Sequence, residues 1–216
     1  MYNPPPFRET RPEALLAAMA AIGLATLVTR GPGGLAATHL PLLHDPEPAP
    51  HGRLLGHLTR ANPQWHELVP GEEAMAVFLG PEAYVTPRWY PAKAEHGRVV
   101  PTWNYLAVHA WGRLRVETEP MALEALVRRL TERHEAGADA PWQVEDAPPV
   151  FIAGQLKGIV GIELTITRLE GKGKMSQNRP PADRAGVIGG LERREEAGDA
   201  AVAEVMRGRG ARGRGC

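Results

Sequence analysis

Between residues 25 and 171 the chain is cut into six or seven short apolar, β-branched runs, each ended by glycine, proline or a polar turn. ATLVTR (25–30), a run ending in THLPLL (38–43), GRLLGHL (52–58), AMAVFLG (74–80) and GIVGIELTITRLEG (158–171) read as strands. GPGG at 31–34 reads as the loop of a hairpin, and HDPEPAPHG (44–52) as a longer loop. GPEAYVTPRWYP (80–91) begins a further strand that its prolines interrupt. VVPTWNYLAVHAWGRLRVE (99–117) reads as two strands, joined or bent near Gly112. The alternating strand–helix rhythm of a parallel doubly wound sheet is missing, so the expected class is mainly β with helices, a β-barrel with helical decoration.

Helical periodicity is confined to a few places. Thr10 and Glu13 have the spacing of a capping box, and Leu15, Leu16, Met19 and Ile22 follow at helical intervals up to Gly23. Leu123, Leu126, Val127 and Leu130 make one face of a helix over 120–135. RANPQWHELVPG (60–71) reads as a short helix. The segment 182–206 reads as weakly helical, because Gly186, Gly189, Gly190 and Gly198 interrupt it. One domain is expected over 1–206, followed by a disordered arginine–glycine tail, RGRGARGRGC (207–216).

Composition removes several function classes. Twenty-five basic residues balance 25 acidic ones over 216 residues, so no global field draws the chain to DNA or to an anionic membrane. Cys216 is the one cysteine, which excludes an internal disulfide and a cysteine-based zinc site and fits a reducing, cytoplasmic compartment. MYNPPPFRET is no signal peptide, and no run reaches the ~18 apolar residues of a membrane helix. The eight histidines form neither H-x-x-x-H nor H-E-x-x-H, and no metal site is expected. Neither G-x-S-x-G nor G-x-x-x-x-G-K-[ST] occurs, which disfavours hydrolase and NTPase chemistry.

Four segments carry groups that recognise ligands. In LTRANPQW (58–65), Asn62 has the character of a helix cap and Pro63 that of a first helical residue. With Arg60 two residues before and His57 at the strand end, this reads as a phosphate cradle or as an ordinary capped helix with a solvated arginine. GPEAYVTPRWYPAK (80–93) gathers Tyr84, Trp89 and Tyr90, either as walls for a flat heterocycle or as cover for the core. VVPTWNY (99–105) places Trp103 and Asn104 in an otherwise apolar run, where the amide serves a flavin ring or satisfies itself in the core. GKGKMSQNRPPADR (171–184) is a surface loop or a basic lip over an anion.

Six blocks in order, MYNPPPF, THLPLL, HLTRANPQW, FLGPEAYVTPRWYPAK, VVPTWNYLAVHAWG and GIELTITRLEGKGKMSQNRP, resemble the PaiB-type family of FMN-binding negative transcriptional regulators across roughly 1–191. The resemblance implies an FMN-binding split barrel that forms a homodimer, with flavin sites at the subunit interface. It implies a phosphate contact at His57, Arg60, Ala61 and Asn62, ring contacts from His39, Tyr84, Thr86, Trp103 and Asn104, and closure by Ser176, Gln177, Asn178 and Arg179. Gly173 departs from the pattern, since this family carries a bulky aromatic there.

The expected function is a flavin-dependent redox protein, an FMN-dependent oxidoreductase being one form of it, or a negative transcriptional regulator. No helix-turn-helix pattern supports direct DNA binding, although Arg207, Arg209, Arg212 and Arg214 of the tail suit nonspecific contact with nucleic acid. Haem binding or degradation is the alternative, with His39, His57 or His109 as axial ligand.

Overall fold

In the computed structural model, residues 1–69 and 71–212 are described, with side chains as far as 208. Strand β1 (Arg8–Glu9) and helix α1 (Pro12–Ile22) lead into the hairpin β2 (Leu24–Gly31) and β3 (Gly34–Pro41). Then come β4 (Leu43–Asp45), β5 (Arg53–Thr59), β6 (Glu73–Val85), the short α2 (Ala92–His96) and β7 (Thr102–Glu117). Helices α3 (Pro120–Glu135) and α4 (Pro149–Lys157) precede β8 (Ile159–Lys174), and α5 (Pro181–Arg194) and α6 (Asp199–Arg212) close the described chain. Neither α2 nor α4 was legible in the sequence. Both are short, and α4 follows a proline-rich stretch.

The strands form one sheet in the order β3-β2-β6-β7-β8-β5-β4, with β1 added on β8. The pairs β2–β3, β2–β6, β4–β5, β5–β8 and β1–β8 are antiparallel. The chain divides into two compact units, and β6, β7 and β8 each supply a segment to both. The first unit comprises Met1–Ala18, Leu79–Val108 and Glu170 onward; the second comprises Met19–Phe78 and His109–Leu169.

In the second unit alternation of buried and outward residues builds the core. Leu54, Gly56 and Leu58 point inward from β5, Ala74, Ala76 and Phe78 from β6, and Ile162, Leu164 and Ile166 from β8. The expected stripe of α3 is buried at Leu123, Leu126 and Leu130. The sheet curls: a Cβ on Gly56 of β5 would run into the Pro41 carbonyl and the Leu40 and Leu42 side chains, so only glycine admits the end of β3 there.

The first unit is cored by Ala83, Val85, Tyr90, Met175, Val187, Leu191, Val202, Ala203 and Met206. Each fully buried Leu, Val or Met side chain contributes about 1.5–3 kcal/mol through the area it removes from water. Helix α5 is continuous despite its glycines. Gly186 and Gly190 lie one turn apart and face Trp89, where a Cβ would collide with the indole and its carbonyl. The glycines read as interruptions are therefore the packing surface.

Other expectations need adjustment. Helix α1 starts at Pro12, with the Arg11 carbonyl accepting from Ala14 and Leu15, so the cap falls one residue after Thr10. The region 74–91 holds one long strand, β6, whose buried positions change phase from Ala74, Ala76 and Phe78 to Ala83 and Val85 across Gly80–Pro81. The region 99–117 likewise holds a single strand, and Gly112 lies against the Thr165 carbonyl of β8. The expected disordered tail is helical as far as Arg212, and 213–216 lies outside the described residues. Among the described residues no helix is long and apolar enough to cross a membrane.

Candidate functional site

The candidate residues divide between the units: His39, His57, Arg60, Ala61 and Asn62 belong to the second, the other eight to the first. In the second unit β5 stops at Thr59, and the chain makes a three-residue 3-10 turn, Pro63–Trp65, in place of the helix expected over 60–71. Asn62 caps that turn by accepting from the Gln64 amide at 2.9 Å, and its own amide donates to Thr38 Oγ1 at 2.9 Å. Arg60 donates through Nε to the Lys157 carbonyl at 2.8 Å and through Nη2 to the Ile159 carbonyl at 2.9 Å. Its backbone amide donates to the Gly158 carbonyl at 2.7 Å, and the Asn62 amide to the Thr59 carbonyl at 3.0 Å.

These donors of Arg60 and Asn62 are thus directed at protein oxygens, and a 3-10 turn stands where a helix end was expected to aim them. LTRANPQW works as a staple between β5, β8 and the β2–β3 hairpin. Its centre is Gln64, 3% exposed, which the sequence did not single out. Gln64 Nε2 donates to Thr29 Oγ1 at 2.9 Å and to the Leu27 carbonyl at 3.2 Å, and Oε1 accepts from Thr38 Oγ1 at 2.5 Å. A glutamine that satisfies both hairpin strands looks like any surface glutamine in one dimension.

His39 is exposed on β3, its Nδ1 2.8 Å from Thr26 Oγ1 of the paired residue on β2. His57 lies on β5 opposite Gly161, and burial holds its imidazole below the ordinary histidine pKa. Ala61 is exposed in the turn. Among the described residues no three His, Cys, Asp or Glu side chains gather as a metal site.

In the first unit Tyr84 on β6 and Trp103 on β7 meet edge to face, centroids 6.0 Å apart at 67°. Both are exposed, at 39% and 51%, which leaves a flat aromatic surface open. Thr86 is buried and caps the next turn, its hydroxyl accepting from the Arg88 amide at 3.3 Å. Asn104 is fully buried, and its amide and the Ser176 hydroxyl bond each other twice, at 3.0 and 3.1 Å. A further contact from Asn104 Nδ2 reaches Met206 Sδ at 3.4 Å.

Ser176 is held at a φ of 57°, a left-handed conformation uncommon outside glycine, and the Asn104 pair anchors it. Gln177 closes the same turn, accepting from the Met175 amide at 2.6 Å and donating to the Gly173 carbonyl at 2.5 Å. Asn178 is exposed, and Arg179 stacks its guanidinium 4.9 Å over the Tyr90 ring. Asn104, Ser176 and Gln177 therefore shape the SQNR turn, while Arg179 lies half-buried with its guanidinium on Tyr90.

Two lysines of β8 join Arg179. Lys172 is only 9% exposed; its ammonium donates to the Tyr2 carbonyl at 3.0 Å and lies 5.3 Å from the Tyr105 ring centroid. Lys174 donates to the Thr102 hydroxyl. Burial lowers the Lys174 pKa, Tyr105 raises it, and the charges of Lys172 and Arg179 lower it further. The first unit thus holds what an anionic, flat cofactor requires: clustered cations and open aromatic rings.

The family model described as "Putative FMN-binding domain" matches residues 1–168. Protease synthase and sporulation protein PAI 2 of Bacillus subtilis is 33% identical over 207 residues, covering 95% of this chain and 96% of the relative. Among solved structures, the flavocytochrome Anf3 of Azotobacter vinelandii superposes with a TM-score of 0.59 at 14% identity, over 77% of this chain and 69% of that one. The FAD and heme binding protein of Mycobacterium smegmatis does so at 0.57 and 17%, over 77% and 73%. The chain belongs to the FMN-binding domain family and is an FMN-binding protein of split-barrel architecture.

Proposed function

We propose that this is an FMN-dependent redox protein acting as a homodimer in the cytoplasm, with Tyr84 and Trp103 of the first unit against the flavin ring. The observation that carries this reading is the exposed edge-to-face pair, whose rings the core does not need. FMN supplies one- and two-electron transfer when bound. The chain's part is to hold and orient it: Tyr84 and Trp103 offer aromatic surface, Thr86 fixes the turn after β6, and the Asn104–Ser176 pair fixes the turn after β8. Tyr2, Leu79 and Val100 are also exposed in this unit, at 86%, 55% and 64%, and supply apolar area for a second copy. The single cysteine supports a reducing compartment.

Regulation through the flavin, without direct DNA contact, fits the helices best. The exposed residues of α5 and α6 include Glu192, Arg193, Glu204 and Arg207, with Arg207 paired to Glu192. A balanced surface of this kind releases few counterions on DNA.

FMN titration followed by flavin fluorescence tests the reading, beside a visible spectrum and size exclusion. Quenching, a flavin spectrum and a dimer elution volume are expected, and Trp103→Ala is expected to weaken FMN about tenfold. A colourless protein that leaves FMN fluorescence unchanged overturns it.

A further inference from the structure

Helix α3 ends at Glu135, and the chain returns along its last two turns through 136–145, leaving a cavity of about 290 Å³ between helix and return. Arg128, Glu132 and Glu135 line it from one face of α3, and Trp142, Val144 and Glu145 from the return. All of it belongs to the second unit, and no residue of the flavin reading lines it.

The return is fixed by the chain's own bonds. The Trp142 amide donates to Glu135 Oε2 at 3.0 Å, and the Gln143 amide to Asp146 Oδ2 at 2.9 Å. Val144 is buried and anchors the loop, whereas its neighbour Trp142 is 45% exposed while lining the cavity. A large ring left half in water on the wall of a preformed cavity is a recognition surface rather than a core contact.

The charge of the lining is one-sided. Among the described residues its one cation is Arg128, which is engaged with Glu124 at 2.8 Å and with Glu145. Glu132 and Glu135 remain, and among the described residues neither forms an ion pair. Of the basic residues in the last turn of α3, Arg133 donates to the Ala20 carbonyl at 3.0 Å, and neither it nor His134 lines the cavity. The carbonyl end of a 16-residue helix adds negative potential at the same place.

A cation that lies on an indole face and meets carboxylates at its edge suits these walls. Guanidinium suits them better than ammonium, being planar, weakly hydrated and forked. Its face stacks on the ring, and its N–H groups reach a carboxylate in pairs. The volume admits such a group with a short alkyl chain.

We propose that this cavity is a binding site for an alkylguanidinium group, stacked on Trp142 and paired with Glu132 and Glu135. Nothing in the site depends on flavin.

Calorimetry on the full chain at fixed ionic strength compares butylguanidinium, butylammonium and butylurea, the last a neutral isostere of the first. Indole N–H signals in the NMR spectrum report which tryptophan responds, and Trp142→Phe assigns the signal. Butylguanidinium is expected to shift the Trp142 signal and to bind at least about tenfold tighter than butylurea and about threefold tighter than butylammonium. Trp142→Ala is expected to weaken it about tenfold. Glu132→Gln, a change at an exposed side chain that leaves the fold alone, is expected to weaken it about fivefold.

Acetyl-glycyl-arginyl-glycinamide carries the same group on a peptide. Binding equal to that of butylguanidinium supports the site with a protein side chain as its occupant; binding at least about tenfold weaker supports it with a free small molecule. If butylurea binds as tightly as butylguanidinium, or if Glu132→Gln and Trp142→Ala both keep the wild-type affinity, the site is refuted. It is refuted equally if about 10 mM butylguanidinium gives no heat and leaves the Trp142 signal in place.

Discussion

Strand β8 carries charge in both units, and its two ends are treated in opposite ways. In the second unit Glu163 bridges Arg53 and Arg115, each at 3.0 Å, while Asp45 takes Arg53 at 3.3 Å and Arg129 at 3.0 Å. In the first unit Lys172 and Lys174 occupy the same strand with carbonyl, hydroxyl and ring partners but no carboxylate. One end is held by ion pairs, and the other meets its cations with dipoles and ring faces alone. A closed network holds strands in register, whereas dipoles and ring faces leave the net charge of the lysines in place.

The comparison breaks or sharpens in four places. The most closed site in the second unit is Gln64, and Gln64→Leu leaves Thr29, Thr38 and the Leu27 carbonyl without their amide. A loss of about 3 kcal/mol is expected in urea unfolding. A loss under 0.5 kcal/mol, within the ordinary spread of surface changes, means that the hairpin is held by other contacts.

Glu163→Gln comes next. It takes one of two carboxylates from each of Arg53 and Arg115, which keep Asp45 and Glu117, and since both guanidiniums reach solvent the expected loss is about 1 kcal/mol. The opposite sign is expected at the open end: Lys172→Met removes a buried uncompensated cation, so the protein free of flavin and phosphate should be unchanged or about 1 kcal/mol more stable. A large loss there would show that the ring contacts alone compensate Lys172.

The smallest effect is in acid. Burial works to raise the Asp45 pKa, but the Glu47 amide and the guanidiniums of Arg129 and Arg53 together hold it below the ordinary value. Its stabilisation is therefore complete above the unfolded pKa of about 3.9 and is lost as pH falls through the lower folded value. His57 acts earlier. Its depressed pKa makes stability decline as pH drops below about 6.5 toward the folded value. Urea midpoints from pH 8 to pH 3 should show both steps, with His57→Gln removing the upper one and Asp45→Asn about 0.5 kcal/mol of the lower.

Much of the architecture was legible in one dimension. Alternation in β5 and the stripe Leu123, Leu126, Leu130 gave correct inward faces, because burial repeats at the period of the backbone. The ordered blocks identified the family. The candidate site was less legible. Asn104 and Ser176 were named, but that they bond each other in the core depends on strands 72 residues apart meeting. Spacing left Arg60 and Asn62 open between a phosphate cradle and an ordinary cap, since a cap and a basic residue look alike whether their donors face a ligand or a carbonyl.

The sequence by itself determined the strand runs, the helix faces and membership of an FMN-binding family, all properties of local pattern and ordered motif. Only the tertiary structure decided which donors were already taken: Arg60 by the carbonyls around Gly158, Lys172 by one carbonyl and two rings. Pairing of charges is a matter of distance in space, and a chain read in order carries no record of those distances.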